Sequence, residues 1–553
     1  MKLIECVPNF SEGRDLKVID EIAKAIKDAG GKLLDVDPGN ATNRTVITFV
    51  ASPEIVVNAA FAGIKRASEL IDMSKHHGAH ARMGATDVCP LIPVSNVSVE
   101  ECVILAEKLA EKVANELNIA TYLYEHAAKE EKRKNLAIIR AGEYEGFFEK
   151  IKKEEWKPDF GEAIHNEKSG STVIGVREFL IAYNINLNTK STLIARKIAN
   201  RIREKGYPER DKNGKLVKAF GKKVFIPGLF KNVKAIGWYI DEYKRAQISI
   251  NLTNFNITPI HEVFDAVCKL ADEFGVRVTG SELVGLIPKK AIYDAGIYFI
   301  KKANQPYGLS EGEIIETAIQ SLGLTELSEF EPNEKIIEYK VAQKRELIAM
   351  TITEFTNELA SNSPAPGGGS IAALNAALSA SLVAMVGNLT VGKPKYKKVN
   401  EKMKELSFKA QQLKEFFINI IDDDTNAFNE IMDAFKLPKN TDKEKEAKKE
   451  AIEEATKKAT LIPFSVMEKI VEVYPLIEIA LKDGNQSALS DAGVAALNAK
   501  SAFYGAYYNV LINLKDIKNE NFNKFLKEKS LKFKEIVDNY DENLGKMVFE
   551  KLN

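Results

Sequence analysis

Apolar and polar residues follow two different rhythms along the chain, and the change from one to the other divides it. Through roughly the first 325 residues, short apolar runs take turns with segments whose apolar positions recur at i, i+3, i+4 and i+7, which predicts strands interleaved with helices. KLIECVP, KLLDVDP, TVITFV and DVCPLIPV read as strands, and LKVIDEIAKAIKDA and PEIVVNAAFAGIKRASELI as amphipathic helices, in the order β, α, β, β, α, β. From about residue 177 the order recurs in REFLIAYNINL, TLIARKIANRIRE, VKAIGWYIDEY, AQISINL, HEVFDAVCKLADEFG and VRVTGSEL. This is a repeat of architecture without evident identity of sequence. A split βαβ plan lays its helices on one face of a mainly antiparallel sheet. Two such α+β, ferredoxin-like subdomains side by side would leave a cleft, a common place for a ligand.

After EFEPNEKIIEY, which reads as a linker, strand-type alternation almost disappears. GSIAALNAALSASLVAMVGNLT, KVNEKMKELSFKAQQLKEFFINIIDDDTNAFNEIMDAF, KEAIEEATKKATLIPFSVMEKIVEVYPLIEIAL and SDAGVAALNAKSAFYGAYYNVLINL all carry helical spacing and predict an all-α bundle. The expected divisions are 1–176 and 177–325 for the subdomains, 326–345 for the linker and 346–553 for the helical domain. The Ala/Ser/Gly-rich stretches Ile371 to Ala384 and Ala492 to Ala506 have little bulk, so they can pack closely within the subunit or across a dimer interface. A homo-oligomer joined through the helical domain is the expectation. The basic, turn-rich segment 209–228 predicts a long loop or hairpin, read either as a solvated insertion or as a rim facing an anionic substrate tail.

Composition narrows the class. The 553 residues exceed the ~250–300 at which a single core stops growing, and 45% hydrophobic with 28% charged residues is an ordinary globular balance. Lys plus Arg and Asp plus Glu both number 78, so no net field draws the chain to nucleic acid or anionic lipid. Cys6, Cys89, Cys102 and Cys268 show no CxxC spacing, against a zinc site or disulfide framework. MKLIECVPNF lacks the apolar stretch of a signal peptide, and no run is read as approaching the ~18 apolar residues of a membrane span. A cytoplasmic protein without membrane contact is expected.

The densest chemistry of the first half is SKHHGAHARMGATDVCP, with His76, His77 and His80 beside Arg82 and near Asp87. A metal reading lacks a fourth ligand and the HExxH pattern, and the flanking glycines predict a loop, so no metal is expected. A histidine titrating near neutrality on a loop above a sheet suits general acid/base catalysis.

CVPNFSEGR, LLDVDPGNATNRTV, GAHARMGATDVCPLIPV, IRAGEYEG, FLIAYNINL and GWYIDE, in that order, resemble the signatures of the glutamate formiminotransferase family. The resemblance implies transfer of a formimino group from N-formimino-L-glutamate to N5 of tetrahydrofolate, the co-substrate, with His80 as the general base. Ala81 stands where the family pattern has proline. N5 must lose a proton as it attacks, which a neutral imidazole can accept. Asp37 is the expected carboxylate holding that imidazole's tautomer, or else a turn-capping residue at a strand end. Asn9, Asn43, Arg44 and Arg82 are the expected binders of the substrate carboxylates, Arg82 before Arg44. By the same resemblance, folate contact falls on Ser171, Thr172, Gly175 and Arg177 and on Gly237, Trp238 and Tyr239. There the glycines would allow close backbone approach and the rings stacking, unless Trp238 is core.

In the second half SNSPAPGGGSIAALNAAL opens three glycines, Gly367, Gly368 and Gly369, and Ser370 directly into an apolar helix, whose N-terminus offers free N–H groups to a polar ligand. With GNLT, GKPKYKK, IIDDDTNAF, LPKNT, GNQSALSDAGVAA and AFYGAYYNVLINL it closely resembles formiminotetrahydrofolate cyclodeaminase over about residues 345–515. That reaction closes N10 onto the formimino carbon and expels ammonia, giving 5,10-methenyltetrahydrofolate. The resemblance implies Asp424 as the acid for the leaving nitrogen, with a pKa raised by an apolar bundle. An exposed helical charge is the other reading. Asp491 is a second polar group at a helix start, or its N-cap. Lys393, with Lys395, Lys397 and Lys398, suits a folate polyglutamate tail or a solvated face. Two alternatives stay open: the same fold with a methenyltetrahydrofolate cyclohydrolase in place of the cyclodeaminase, and a folate-binding protein without catalysis.

Overall fold

The computed structural model describes residues 2–40, 43–77, 82–241, 243–342 and 345–552. His80 lies outside the described residues. The chain divides into two compact units, residues 1–295 with 318–342 and residues 296–317 with 343–553. The helical unit therefore takes up a segment, 296–317, that sequence reading grouped with the second subdomain.

The first unit opens with β1 (Leu3–Cys6), β2 (Asn9–Phe10), α1 (Leu16–Asp28), β3 (Lys32–Gly39), β4 (Arg44–Ala51), α2 (Pro53–Leu70), β5 (Thr86–Ser95), α3 (Val99–Leu117), β6 (Thr121–Glu125), α4 (Leu136–Arg140), α5 (Glu143–Lys150) and β7 (Thr172–Val176). These strands form one seven-stranded sheet, β3 beside β4, then β1 and β2, then β5, β7 and β6. The β5–β7 and β6–β7 pairs are parallel and the others antiparallel. The predicted six-element plan is present and is extended by α3, β6 and β7. Ile4, Cys6, Ile47, Phe49, Cys89 and Leu91 share a core with Ile22, Val56, Ala60 and Leu109 of α1–α3. Strand alternation then puts Glu5, Asp37 and Arg44 on the opposite face. Residues of α4 and α5 cover the β5–β7–β6 end of that opposite face, where Val88, Tyr122 and Val173 pack with Ile139 and Phe147.

The chain continues as β8 (Ile181–Leu187), α6 (Thr192–Ile202), the short strands β9 (Tyr207–Pro208), β10 (Lys218–Ala219), β11 (Lys222–Lys223) and β12 (Phe225–Ile226), then β13 (Val233–Ile240), β14 (Arg245–Leu252), α7 (Ile260–Glu273), β15 (Val278–Val284), α8 (Lys289–Lys302), α9 (Glu311–Leu322), α10 (Pro332–Lys335) and α11 (Ile337–Val341). β13, β14, β8 and β15 form an antiparallel sheet in that order. The basic insertion folds as two small antiparallel pairs, β10 with β11 and β12 with β9.

The helical unit contains α12 (Ile352–Leu359), α13 (Gly368–Thr390), α14 (Asn400–Lys436), α15 (Asp442–Ile470), α16 (Val473–Asp483), α17 (Leu489–Asn513) and α18 (Glu520–Leu552). α13 is long and apolar enough to cross a membrane by length and composition, which sequence reading did not expect, and 61% of its most apolar window is buried inside the fold. The reason for this composition is packing. Ala372, Ala376 and Ala380 of α13 and Ala495, Ala499 and Ala502 of α17 are all buried. Ser379 donates to Ala495 O at 2.8 Å, Asn375 to Ser501 Oγ at 3.0 Å, and a Cβ on Gly368 would lie 3.1 Å from Asn509 Nδ2. As the α13 number rises the α17 number falls, so the two helices run antiparallel. The small residues thus serve contact within the subunit, while Leu378, Met385 and Leu389 of α13 and Leu497, Tyr508 and Ile512 of α17 remain exposed.

Candidate active sites

In the first unit the polar residues gather on the face of the seven-stranded sheet away from α1–α3. Arg44 at the start of β4 sits half-buried. Burial lowers its guanidinium pKa, opposed by the charges of Asp87 and Asp37, while Arg140 adds to the lowering. Asp87 accepts from the Met83 backbone N–H at 3.0 Å and pairs with the Arg140 guanidinium. Asp37 is exposed on β3, paired in register with Val46. Glu5, on the same face, is buried, which pushes its carboxyl up to about 7 against the pull of Arg177.

The other three expected anion binders have these partners within the fold. Asn9 is buried and donates to Val7 O at 2.8 Å. Asn43, with φ 49°, accepts from the Gly13 N–H at 3.0 Å and donates to His77 O at 3.1 Å. Arg82 is buried and donates to Glu145 at 2.6 and 3.0 Å, to Glu143 at 3.0 Å, to His76 Nδ1 at 3.3 Å and to His76 O at 3.2 Å. The Arg82 guanidinium thus faces two carboxylates of its own chain, as Arg44 lies in the fields of Asp87 and Asp37. Glu143 and Glu145 belong to IRAGEYEG, a motif that carried the resemblance without a role assigned to its acids.

The segments expected to touch folate separate by face. Ser171 and Thr172 are buried, with Ser171 Oγ 2.8 Å from His165 Nδ1. Gly175 is glycine because a Cβ would collide with the Tyr124 carbonyl and ring. Gly237 meets the α6 backbone at Ala195 and Arg196 in the same way, so both glycines serve packing. Half-buried Arg177 keeps its Nη1 on Glu178 O at 3.1 Å. Trp238 is 40% exposed on the face of β13 away from α6, which excludes the core reading, whereas Tyr239 alternates toward α6. Trp238 Nε1 donates to Gln247 Oε1 at 2.9 Å, Gln247 to Asn186 at 2.9 Å and to Glu282 at 3.3 Å, and Asn184 to Glu282 at 3.3 Å. Sequence reading missed this network, although the polar positions of YNINL and AQISINL alternate with the apolar ones, which puts Asn184, Asn186 and Gln247 together on one face, where they are buried.

In the helical unit Gly367 is the N-cap of α13 and Ser370 its third residue. The half-buried Asp424, on α14, lies against this end. Ser370 Oγ is 3.1 Å from both Asp424 Oδ2 and Ile421 O. A Cβ on Gly369 would collide with the Asp424 carboxyl. Burial raises the Asp424 pKa, and the side-chain and backbone hydrogen bonds of Ser370 oppose it in part. The Asp424 carboxyl is thus held against Ser370 at the start of α13 rather than standing as an exposed charge. Asp422 accepts from the Leu347 and Ile348 N–H groups at 3.0 and 3.2 Å and is committed to the preceding segment. Asp491, in the first turn of α17, and Lys393, past the end of α13, lie near the opposite end of that helix pair. At ~1.5 Å rise per residue, the 23 residues of α13 put roughly 34 Å between those ends. Asp491 and Asp424 therefore do not meet.

Among the described residues no group of three or more His, Cys, Asp or Glu side chains forms a possible metal site.

Three family models match the chain: "Formiminotransferase domain, N-terminal subdomain" over residues 3–177, "Formiminotransferase domain" over 182–342 and "Formiminotransferase-cyclodeaminase" over 351–532. A formimidoyltransferase-cyclodeaminase of Gallus gallus is 43% identical over 94% of each chain. A glutamate formimidoyltransferase of Thermoplasma acidophilum is 42% identical over 58% of this chain and 98% of its own. A methenyltetrahydrofolate cyclohydrolase of Methylorubrum extorquens is 43% identical over 31% of this chain and 83% of its own. On sequence and on domain order alike, the chain belongs to the formiminotransferase-cyclodeaminase family.

Proposed function

We infer that the chain is a bifunctional folate enzyme. It transfers the formimino group of N-formimino-L-glutamate to N5 of tetrahydrofolate and then converts 5-formiminotetrahydrofolate to 5,10-methenyltetrahydrofolate and ammonia. The transferase part is assigned to residues 1–325 in two ferredoxin-like subdomains, and the cyclodeaminase to 346–553 after a linker. In the first step the N5 lone pair attacks the formimino carbon, His80 takes the N5 proton and passes it to the glutamate nitrogen, and the bond from that carbon to this nitrogen breaks to release glutamate. Arg44, half-buried on this sheet face, is a candidate clamp for a substrate carboxylate. Asp37, on the same sheet face as Arg44, is the candidate to orient the base. Arg177 and Trp238 are the favoured folate contacts.

In the second step N10 attacks the same carbon and its proton passes to the formimino nitrogen, Asp424 gives that nitrogen a second proton, and it departs as ammonia to leave the 5,10-methenyl cation. The observation that carries this reading is the Asp424 carboxyl at the glycine-opened end of α13, its pKa raised by burial while Ser370 stands ready to stabilise the carboxylate left behind. Both steps balance with proton transfers alone and call for no metal. The exposed apolar faces of α13 and α17 support a homo-oligomer joined through the helical unit. The four free thiols, Cys6 and Cys89 only 3.5 Å apart, support a reducing cytoplasm.

The test is an assay with formiminoglutamate and tetrahydrofolate, following methenyltetrahydrofolate absorbance and ammonia for wild type, His80→Ala and Asp424→Ala. Product from wild type, 5-formiminotetrahydrofolate accumulating in the Asp424 variant and neither in the His80 variant is the expected pattern. Similarity to the cyclohydrolase gives a second reading of the helical unit, and failure of wild type to release ammonia from 5-formiminotetrahydrofolate would favour it.

A further inference from the structure

Two residues flanking the segment that bears His80 are tied together and to opposite sides of the sheet face. His76 is buried, its Nε2 lies 2.8 Å from Asn43 O, and its Nδ1 accepts the Nε–H of Arg82 at 3.3 Å. Because a guanidinium only donates, Nδ1 carries no proton and Nε2 does, so the ring is a neutral tautomer bridging Arg82 to Asn43. Asn43 also holds His77 O at 3.1 Å. On the other side Arg82 is clamped by Glu145 and Glu143 of α5. Asn43 and Glu143 have φ of 49° and 53°, uncommon for residues with a Cβ, so both ends of the chain of contacts rest on backbone held by its surroundings.

We propose that Glu145, Arg82 and His76 are positioning residues: they fix both flanks of the segment carrying the transferase base, and Arg82 does not bind the substrate carboxylate. This rests on the transferase reading above. A clamp that sets geometry changes turnover, whereas a carboxylate binder changes substrate affinity. Removing Glu145 would liberate a carboxylate-binding arginine but would loosen a positioning one.

The experiment measures kcat and KM for formiminoglutamate in Arg82→Lys, Glu145→Gln and the double variant, with near-ultraviolet circular dichroism and the melting midpoint as the control that the first unit has folded. Expected are kcat losses of roughly 10- to 100-fold in each, KM within about twofold of wild type, and a double variant no worse than the worse single. A KM rise in Arg82→Lys without loss of kcat, or an unchanged or improved Glu145→Gln enzyme, overturns the proposal. If Arg82→Lys does not fold, Glu145→Asp is measured in its place under the same criteria. Histidine 15N spectra separate this proposal from the reading beneath it. An Nε2-protonated neutral imidazole in wild type, lost in Glu145→Gln, supports the clamp even if no formimino transfer is found, and its absence from wild type overturns it.

Discussion

The α-carbon of Gly369 lies so close to the Asp424 carboxyl that no side chain fits between them. The two residues sit on different helices, 55 positions apart in number, and the glycine is what lets the acid reach the N–H groups at the end of α13. Gly369→Ala is expected to displace Asp424 and to lower ammonia release from 5-formiminotetrahydrofolate by about 10²-fold or more, with formimino transfer unchanged. Steady-state assays of the two half-reactions check this, and equal loss of both would point to a folding defect instead.

Ser370 holds the Asp424 pKa below the level that burial alone would set. An acid catalyst works in its protonated form, so cyclodeaminase activity should fall as pH rises through the Asp424 pKa. Ser370→Ala removes the opposing hydrogen bond, raises that pKa further, and should move the falling limb to higher pH. A limb that stays in place or moves lower assigns the titration to another group.

The chain has two tryptophans, Trp156 and Trp238. The first is 9% exposed and the second 40% exposed beside the Gln247–Glu282 network. Tetrahydrofolate is expected to quench wild-type tryptophan emission, and Trp238→Phe to abolish most of that quenching and weaken affinity by roughly 5- to 10-fold, about 1 kcal/mol of stacking. Persistent quenching in the variant would locate the folate near Trp156 instead.

Burial of Glu5 raises its carboxyl to about 7 from an unfolded value of 4.5. Between those values the folded chain keeps a proton that the unfolded chain has lost, so this residue's contribution is fully present below about 4.5 and declines as pH rises through 7. Glu5→Gln should therefore gain stability over wild type as pH goes from 5 to 8, by on the order of 2 kcal/mol once ionisation is complete. Melting midpoints of the two proteins across that range test it, and a pH-independent difference would mean that Glu5 is already ionised in the fold.

Much of this organisation was legible in the hydrophobic pattern because strands and helices differ in period, and because IRAGEYEG and IIDDDTNAF stand out as motifs. Three kinds of information were not. The parallel strands β6 and β7 are buried on both faces, so they carry no alternation. The roles of Gly175 and Gly237 as packing surfaces, against Tyr124 and α6, depend on partners far away in sequence. The apolar run of α13 was passed over because its alanines and serines are weakly hydrophobic one by one, and only their contact with α14 and α17 shows why they are needed. Arg82 shows the same limit in the chemistry: arginine beside histidines suggested an anion clamp, and only Glu145 on α5 reveals that its anion is intramolecular.

The antiparallel α13–α17 pair also acts as a ruler. On the proposed reading, a folate with its reacting ring at Asp424 would have Lys393 a full helix length away, beyond the reach of a short tail. Under that reading only a ligand carrying several glutamates would span the distance, so tail length rather than charge alone would decide whether this cation and its neighbours Lys395, Lys397 and Lys398 contribute.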